Sequence, residues 1–248
     1  MNIIFILWLR ELKRYFRSWP RLIGSLGQPL LFMIAIGFGF GPVFKAAGMG
    51  DYIQFLIPGV IAMSIIFTSV FSGLQIIWDR QFGFLKEMLV APVSRLQIMF
   101  GRCLGGATIA VFQGCIVLFL SFIVGFHLDH IWNFFAAVGF MFLTAFLFTL
   151  FGTGIASSLK DAQGFQLIIN FLVMPIFFLS GAIFPINDLG PYLYEAVTLN
   201  PLTYGVDALR GTLVDLNHFS LIHDFSILVI VIVFFLFISS YLFSKIEA

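Results

Sequence analysis

Two sets of side chains in this sequence are of types that can do chemistry. The first is a cluster of charge, Asp79, Arg80, Lys86, Glu87, Arg95 and Arg102, within the stretch WDRQFGFLKEMLVAPVSRLQIMFGR that begins at Trp78. Long apolar runs flank it in a chain with only 10% charged residues, so it marks polypeptide that has left an apolar phase. Its mixture of signs and apolar side chains suits a docking surface. The second set is four histidines: His127 and His130, three apart, and His218 and His223 in a later segment. Histidines at that spacing can chelate a metal, but interfacial histidines are common and H-E-x-x-H is absent, so no metal site is expected. The sequence also lacks G-x-x-x-x-G-K-[ST], the loop that cradles nucleotide phosphates. The expectation is a chain with no catalytic residues, no cofactor of its own and no nucleic-acid partner. The rival reading as an intramembrane enzyme would have to rest on His127 or His223.

The elements that position the charged cluster are apolar. The chain is 60% hydrophobic with 34 Phe, and its mean hydropathy is +1.06. A soluble domain needs far more polar surface, so the fold class is an all-α polytopic membrane protein. Six spans are expected, at 22–44, 52–78, 102–126, 131–158, 165–180 and 225–243. Each can cross a hydrocarbon core about 30 Å thick, although the fifth is short and carries Pro175. Ahead of them, residues 3–19 place Phe5, Trp8, Leu9, Leu12, Tyr15, Phe16 and Trp19 at helical spacing, with Arg10, Lys13, Arg14, Arg17 and Arg21 on the opposite side. That pattern predicts an amphipathic helix in the membrane interface, drawn to anionic lipid and ended by Pro20.

Six spans put both termini on one side. With that side cytoplasmic, it holds eleven of the thirteen Lys and Arg residues and the outer side only Lys45 and Arg210. The positive-inside bias therefore makes 79–101 a cytoplasmic loop and 181–224 an outer one. The outer segment is too polar to span and too apolar for a plain loop. It is expected to form short helices that lie on the interface or re-enter it. No ionisable residue sits clearly at mid-depth within the spans, which argues against an ion-coupled carrier. Gln75, Gln113, Thr149 and Asn170 are left as path-lining residues or as polar contacts between helices. Cys103 and Cys115 lie about 18 Å apart on one helix, beyond disulfide reach.

Four stretches, FLIPGVIAMSIIFTS (55–69), DRQFGFLKEMLVAPVSRLQIMFGRCLGG (79–106), GAIFPINDLGP (181–191) and NPLTYGVDALRG (200–211), together resemble the ABC-2 type permease family. These are membrane subunits of bacterial ABC exporters, and the resemblance leans to the branch for drug and nodulation-factor export. It implies one transmembrane domain over 1–248, paired as a dimer with a second permease copy and with two copies of a separate ATPase that carries ATP and Mg. It implies a bacterial inner-membrane location with both termini cytoplasmic, and an amphipathic, drug-like or lipid- or glycan-linked substrate. The ATPase-coupling loop would comprise Arg80, Phe82, Gly83, Leu85, Lys86, Glu87, Met88, Leu89, Pro92 and Arg95. In it Phe82, Leu85, Met88 and Leu89 would form the apolar face, and Glu87 the polar contact that transmits ATPase movement. The alternative is an ion-coupled carrier or a membrane scaffold with no ATPase.

Overall fold

A computed structural model of the protein describes residues 3–46, 48, 50–90, 92–128, 131–186 and 189–246. Among the described residues there are eleven α-helices and no strand. They are α1 (Ile3–Phe16), α2 (Trp19–Ala46), α3 (Tyr52–Ser72), α4 (Leu74–Gln81), α5 (Phe84–Val90), α6 (Arg95–Ser121), α7 (Ile131–Ser158), α8 (Ala162–Phe178), α9 (Pro191–Leu199), α10 (Pro201–Val214) and α11 (Leu221–Ser244). Short polar side chains start the helices by accepting from free backbone N–H groups. Asp51 accepts from Ile53 N, Ser94 from Gln97 N, Asp161 from Gly164 N, Asn200 from Leu202 N and Ser220 from His223 N. Pro191 and Pro201 open α9 and α10, where a missing N–H costs nothing.

Five segments are long and apolar enough to cross a membrane: Leu22–Ala46, Tyr52–Gln81, Arg95–Val124, Trp132–Ser158 and Leu221–Ser244. The expected fifth span corresponds to α8, whose 17 residues cover roughly 26 Å at the helical rise, less than the core thickness. Two boundaries move. The second span continues through Gly73 and α4 to Gln81, and α6 begins at Arg95 rather than 102. The non-helical part of the charged loop therefore shrinks, because Asp79 and Arg102 pair inside the bundle and need not leave it.

At the centre is α3. Every residue from Leu56 to Ile66 is buried, and the helix is wrapped by α2, α6, α7 and α10. Glycine makes the closest crossing possible. A Cβ on Gly152 of α7 would sit 2.4 Å from the Val70 carbonyl oxygen, and one on Gly73 2.5 Å from the Gly152 oxygen. Backbone meets backbone there, so neither position accepts a side chain. By contrast α2 and α11 run along the outside, with Leu31, Phe38, Phe40, Phe234 and Phe237 exposed.

The outer segment does form two short helices, and α10 is more deeply set than an interfacial helix. It packs between α3, α7 and α11 and is buried from Leu202 to Leu213. Its charges are satisfied within the bundle. Arg210 Nη2 donates to Gly181 O at 3.0 Å, and its guanidinium carbon lies 3.9 Å from the Phe55 ring centroid. Burial pushes the Arg210 guanidinium down to about 10, with Asp207 and Tyr52 acting the other way, so it stays charged at neutral pH. Asp207 accepts from His218 N and Phe219 N at 2.7 to 3.0 Å, tying down the connection to α11.

Candidate partner-docking site and its ion cluster

The segment from Asp79 to Arg95 was expected to present one charged and apolar face to a partner. The structure divides it. Arg80 turns inward and donates to Leu159 O at 3.0 Å and Ser157 O at 3.2 Å, satisfying carbonyls at the C-terminal end of α7. Arg95 does the same for α11, donating to Ser244 O and to Ile246 O at 3.1 Å. Gly83 has φ 80°, a left-handed turn that reverses the chain between α4 and α5. The seven residues of α5 then pack by Leu85, which is fully buried, and by Met88, whose Sδ lies 3.0 Å from Arg10 Nη1. The apolar face built from Phe82, Leu85, Met88 and Leu89 is therefore not a single outward surface. Phe82 at 73%, Phe84 at 51% and Val90 at 86% exposure face out, with Lys86 and Glu87 beside them. Pro92 is exposed on the following turn. Of Leu89 the structure describes the backbone, within α5. Phe84 and Val90 were not picked out from the sequence, because a seven-residue helix has too few turns to reveal which side packs.

Behind this surface lies a cluster of five charges that joins α1, α4 and α6. Asp79, on α4, has a nearly buried carboxylate that meets three arginines: Arg102 Nη2 at 2.8 Å, Arg14 Nη1 at 3.2 Å and Arg10 Nη2 at 3.3 Å. Glu11 adds contacts to Arg14 at 3.4 Å and to Arg102 at 3.9 Å. Three cations against two acids leave the cluster net positive. Pairing is what lets these charges sit inside an apolar bundle, since an isolated buried charge costs several kcal/mol.

The cluster changes the reading of α1. Its packed side is Leu7, Glu11 and Tyr15, one residue every turn, laid on α6. Gly101 and Gly105 of α6 admit it, since a Cβ at either would come within 3 Å of α1 atoms. Trp8 is half-buried and donates to Thr108 Oγ1 at 3.0 Å. Arg10 and Arg14, expected to face lipid headgroups, turn inward to Asp79. Lys13 and Arg17 are exposed, as are Phe5, Phe16 and Trp19. The sequence marks α1 as amphipathic, but it does not show that a carboxylate sixty-odd residues later would claim two of its cations.

Among the polar residues of the spans, Gln75 accepts from Arg14. Thr149 is buried and bonds its own helix at Ala145 O, where it packs on Gly106. Asn170 is exposed on α8. Gln113 is fully buried, and its Oε1 accepts from Thr68 Oγ1 at 2.6 Å and Tyr15 Oη at 3.4 Å. Of the histidines, His127 and His223 are exposed and His218 Nε2 lies 3.4 Å from Tyr194 Oη. His130 lies outside the described residues. Among the described residues no three of His, Cys, Asp or Glu gather as metal ligands would.

Long apolar helices crossing at glycine, capped by cations at one end and carrying a short charged helix outside the bundle, define an integral membrane protein. The family model for the ABC-2 type transporter matches residues 2–214. The inner membrane transport permease YadH of Escherichia coli K12 is 30% identical over 236 residues, covering 92% of this chain and 90% of that protein. A putative transport permease, ycf38, of Cyanophora paradoxa is 30% identical over 192 residues, 76% of this chain and 66% of that protein. Nodulation protein J of Rhizobium leguminosarum bv. trifolii is 24% identical over 210 residues, 82% of this chain and 79% of that protein. The chain belongs to the ABC-2 type transporter family: it is a transport permease, the membrane subunit of an ABC transporter.

Proposed function

We propose that this permease works in an ATP-driven exporter of the bacterial inner membrane. Two copies of the chain pair with two copies of a separate ATPase, which holds ATP and Mg, and both termini of the chain are cytoplasmic. The observation that carries this reading is the outward patch of Phe82, Phe84, Lys86, Glu87 and Val90, fixed on a bundle whose other loop charges are already paired. Exposed aromatic and aliphatic side chains beside opposite charges suit a groove on a soluble partner. Movement of the patch reaches the bundle through Asp79, eight residues before Glu87, because Asp79 holds α1 and α6 together. Nucleotide-driven displacement of α5 thereby biases the spans between access states.

The exposed face of α8 supports the paired arrangement. Gln163, Gln166 and Asn170 lie on one side of an otherwise apolar helix. Amide side chains are poor company for lipid tails, so this face is turned to a second copy and to the path between the two. A path walled by aliphatic, aromatic and amide groups fits an amphipathic substrate, drug-like or linked to lipid or glycan, better than a small ion. The test is a pull-down of the tagged chain from mild detergent, with mass spectrometry and an ATPase assay. A stoichiometric ATPase that is lost in Phe84→Asp with Val90→Asp is the expected result. A chain isolated alone, or an ATPase retained by that variant, would remove the docking assignment.

A further inference from the structure

A cavity of about 340 Å³ opens inside the single chain, between α1, α2, α3 with α4, and α6, away from the patch on α5. That volume lies in the range of small-molecule sites. Its two ends are polar and its middle is not. At the cytoplasmic end stand Arg14, Glu11 and Arg102, so the lining carries one net positive charge. Arg102 Nη1 is buried and finds no hydrogen-bond partner among the described residues. Eleven residues further along α6, about 16 Å by the helical rise, stands Gln113. Its oxygen is doubly occupied, while its Nε2 is buried and without a partner among the described residues, as is the hydroxyl of Ser64 across the cavity. Between the two ends the wall is Phe67, Phe71, Ile109 and Trp78.

Unpaired buried donors are uncommon because each forfeits its hydrogen bonds with water. Two of them facing one cavity, at opposite ends of an apolar middle, describe the complement of a ligand. Access is lateral. Gly24 and Gln28 of α2 are exposed and also line the cavity, and a Cβ on Gly24 would meet nothing within 4 Å. This rim faces the membrane, not the aqueous phase.

We propose that this cavity binds an anionic amphiphile entering from the membrane. Its acid group lies at Arg14 and Arg102, a narrow hydrocarbon body lies along the aromatic wall, and a hydroxyl or carbonyl at the far end accepts from Gln113. The proposal does not depend on the ATPase or on a second copy, because the ends, wall and rim all belong to one chain. It separates this molecule from a plain fatty acid, which lacks the far acceptor, and from a fatty alcohol, which lacks the charge.

The probes are omega-hydroxydodecanoate, dodecanoate, dodecanol and inorganic phosphate. They are titrated into the full chain in phosphatidylcholine nanodiscs, with Trp8, Trp19 and Trp132 replaced by Phe so that Trp78 on the cavity wall reports alone. The hydroxy acid is expected to saturate the Trp78 signal, with dodecanoate and dodecanol each about tenfold weaker for want of one charged or neutral hydrogen bond. Gln113→Leu should weaken the hydroxy acid about tenfold and leave dodecanoate unchanged. Gly24→Trp, at the rim and clear of both ends, should abolish both signals. Equal binding of all three amphiphiles in the unmodified chain would overturn the proposal, whatever the variants do. So would an equal loss of both acids in Gln113→Leu, or full competition by phosphate, which would make the site one for a free anion.

Discussion

Asp79→Asn tests whether the cluster of charges holds α1, α4 and α6 together. The Asp79 carboxylate has 4% exposure and so has the side chain of Arg102, 2.8 Å away. Removing the acid strands a buried guanidinium, which costs about 3–5 kcal/mol when nothing replaces the partner. Glu11 remains 3.9 Å from Arg102 Nε, so the lower figure applies, about 3 kcal/mol or a hundredfold in the unfolding equilibrium. Arg10→Gln is the control. Its side chain is 34% exposed, and Asp79 keeps two other arginines, so screening leaves the loss below about 1 kcal/mol. Cys103 provides the assay, because it is fully buried next to Arg102 and becomes reactive only when α6 separates from its neighbours. With Cys115 replaced by Ala, maleimide labelling of Cys103 is followed as SDS is titrated into dodecylmaltoside micelles. Asp79→Asn should shift the midpoint strongly and Arg10→Gln barely. Arg102→Met added to Asp79→Asn should recover part of the loss, since removing both charges leaves no orphan. Equal shifts for the two single variants, or no recovery in the double, would refute the view that Asp79 is the hub.

The other expectations concern packing, capping and docking. Gly152→Ala should disrupt the α3–α7 crossing, since its Cβ would lie 2.4 Å from a backbone oxygen, whereas Gly39→Ala, whose Cβ meets nothing within 4 Å, should leave the same unfolding midpoint unchanged. Arg80→Gln removes a charged donor from two carbonyls at the end of α7 and should cost about 1–3 kcal/mol, read as faster hydrogen exchange confined to the region around residue 158. Asp207→Ala should cost a similar amount by freeing the N–H groups of His218 and Phe219, seen as raised protease sensitivity between α10 and α11. Glu87→Lys should lower permease-stimulated ATPase activity without moving the Cys103 midpoint, because Glu87 is exposed and forms no ion pair among the described residues.

The amino-acid sequence by itself determined that this is a helical membrane protein, because runs of twenty and more apolar residues admit no other economical fold. It also located the charged loop, the amphipathic first helix and the two short outer helices, each marked by composition or by proline and asparagine at its start. Only the tertiary structure decided what the charges do. Periodicity along α1 puts Arg10 and Arg14 on its polar side, yet both turn to Asp79, a partner on a distant part of the chain. Arg80 and Arg95 look like docking charges and instead close the ends of α7 and α11. Leu85 faces inward and Phe84 outward, a division set by how Gly83 turns the chain. Gln113, an unremarkable polar residue within a span, gains a vacant donor only because α1, α2 and α3 leave a cavity beside it. The physical reason is common to all of these. Hydropathy is a property of a segment, whereas the partner of a buried charge or amide is chosen by which helices cross, and crossing is settled by glycine contacts between residues far apart in sequence.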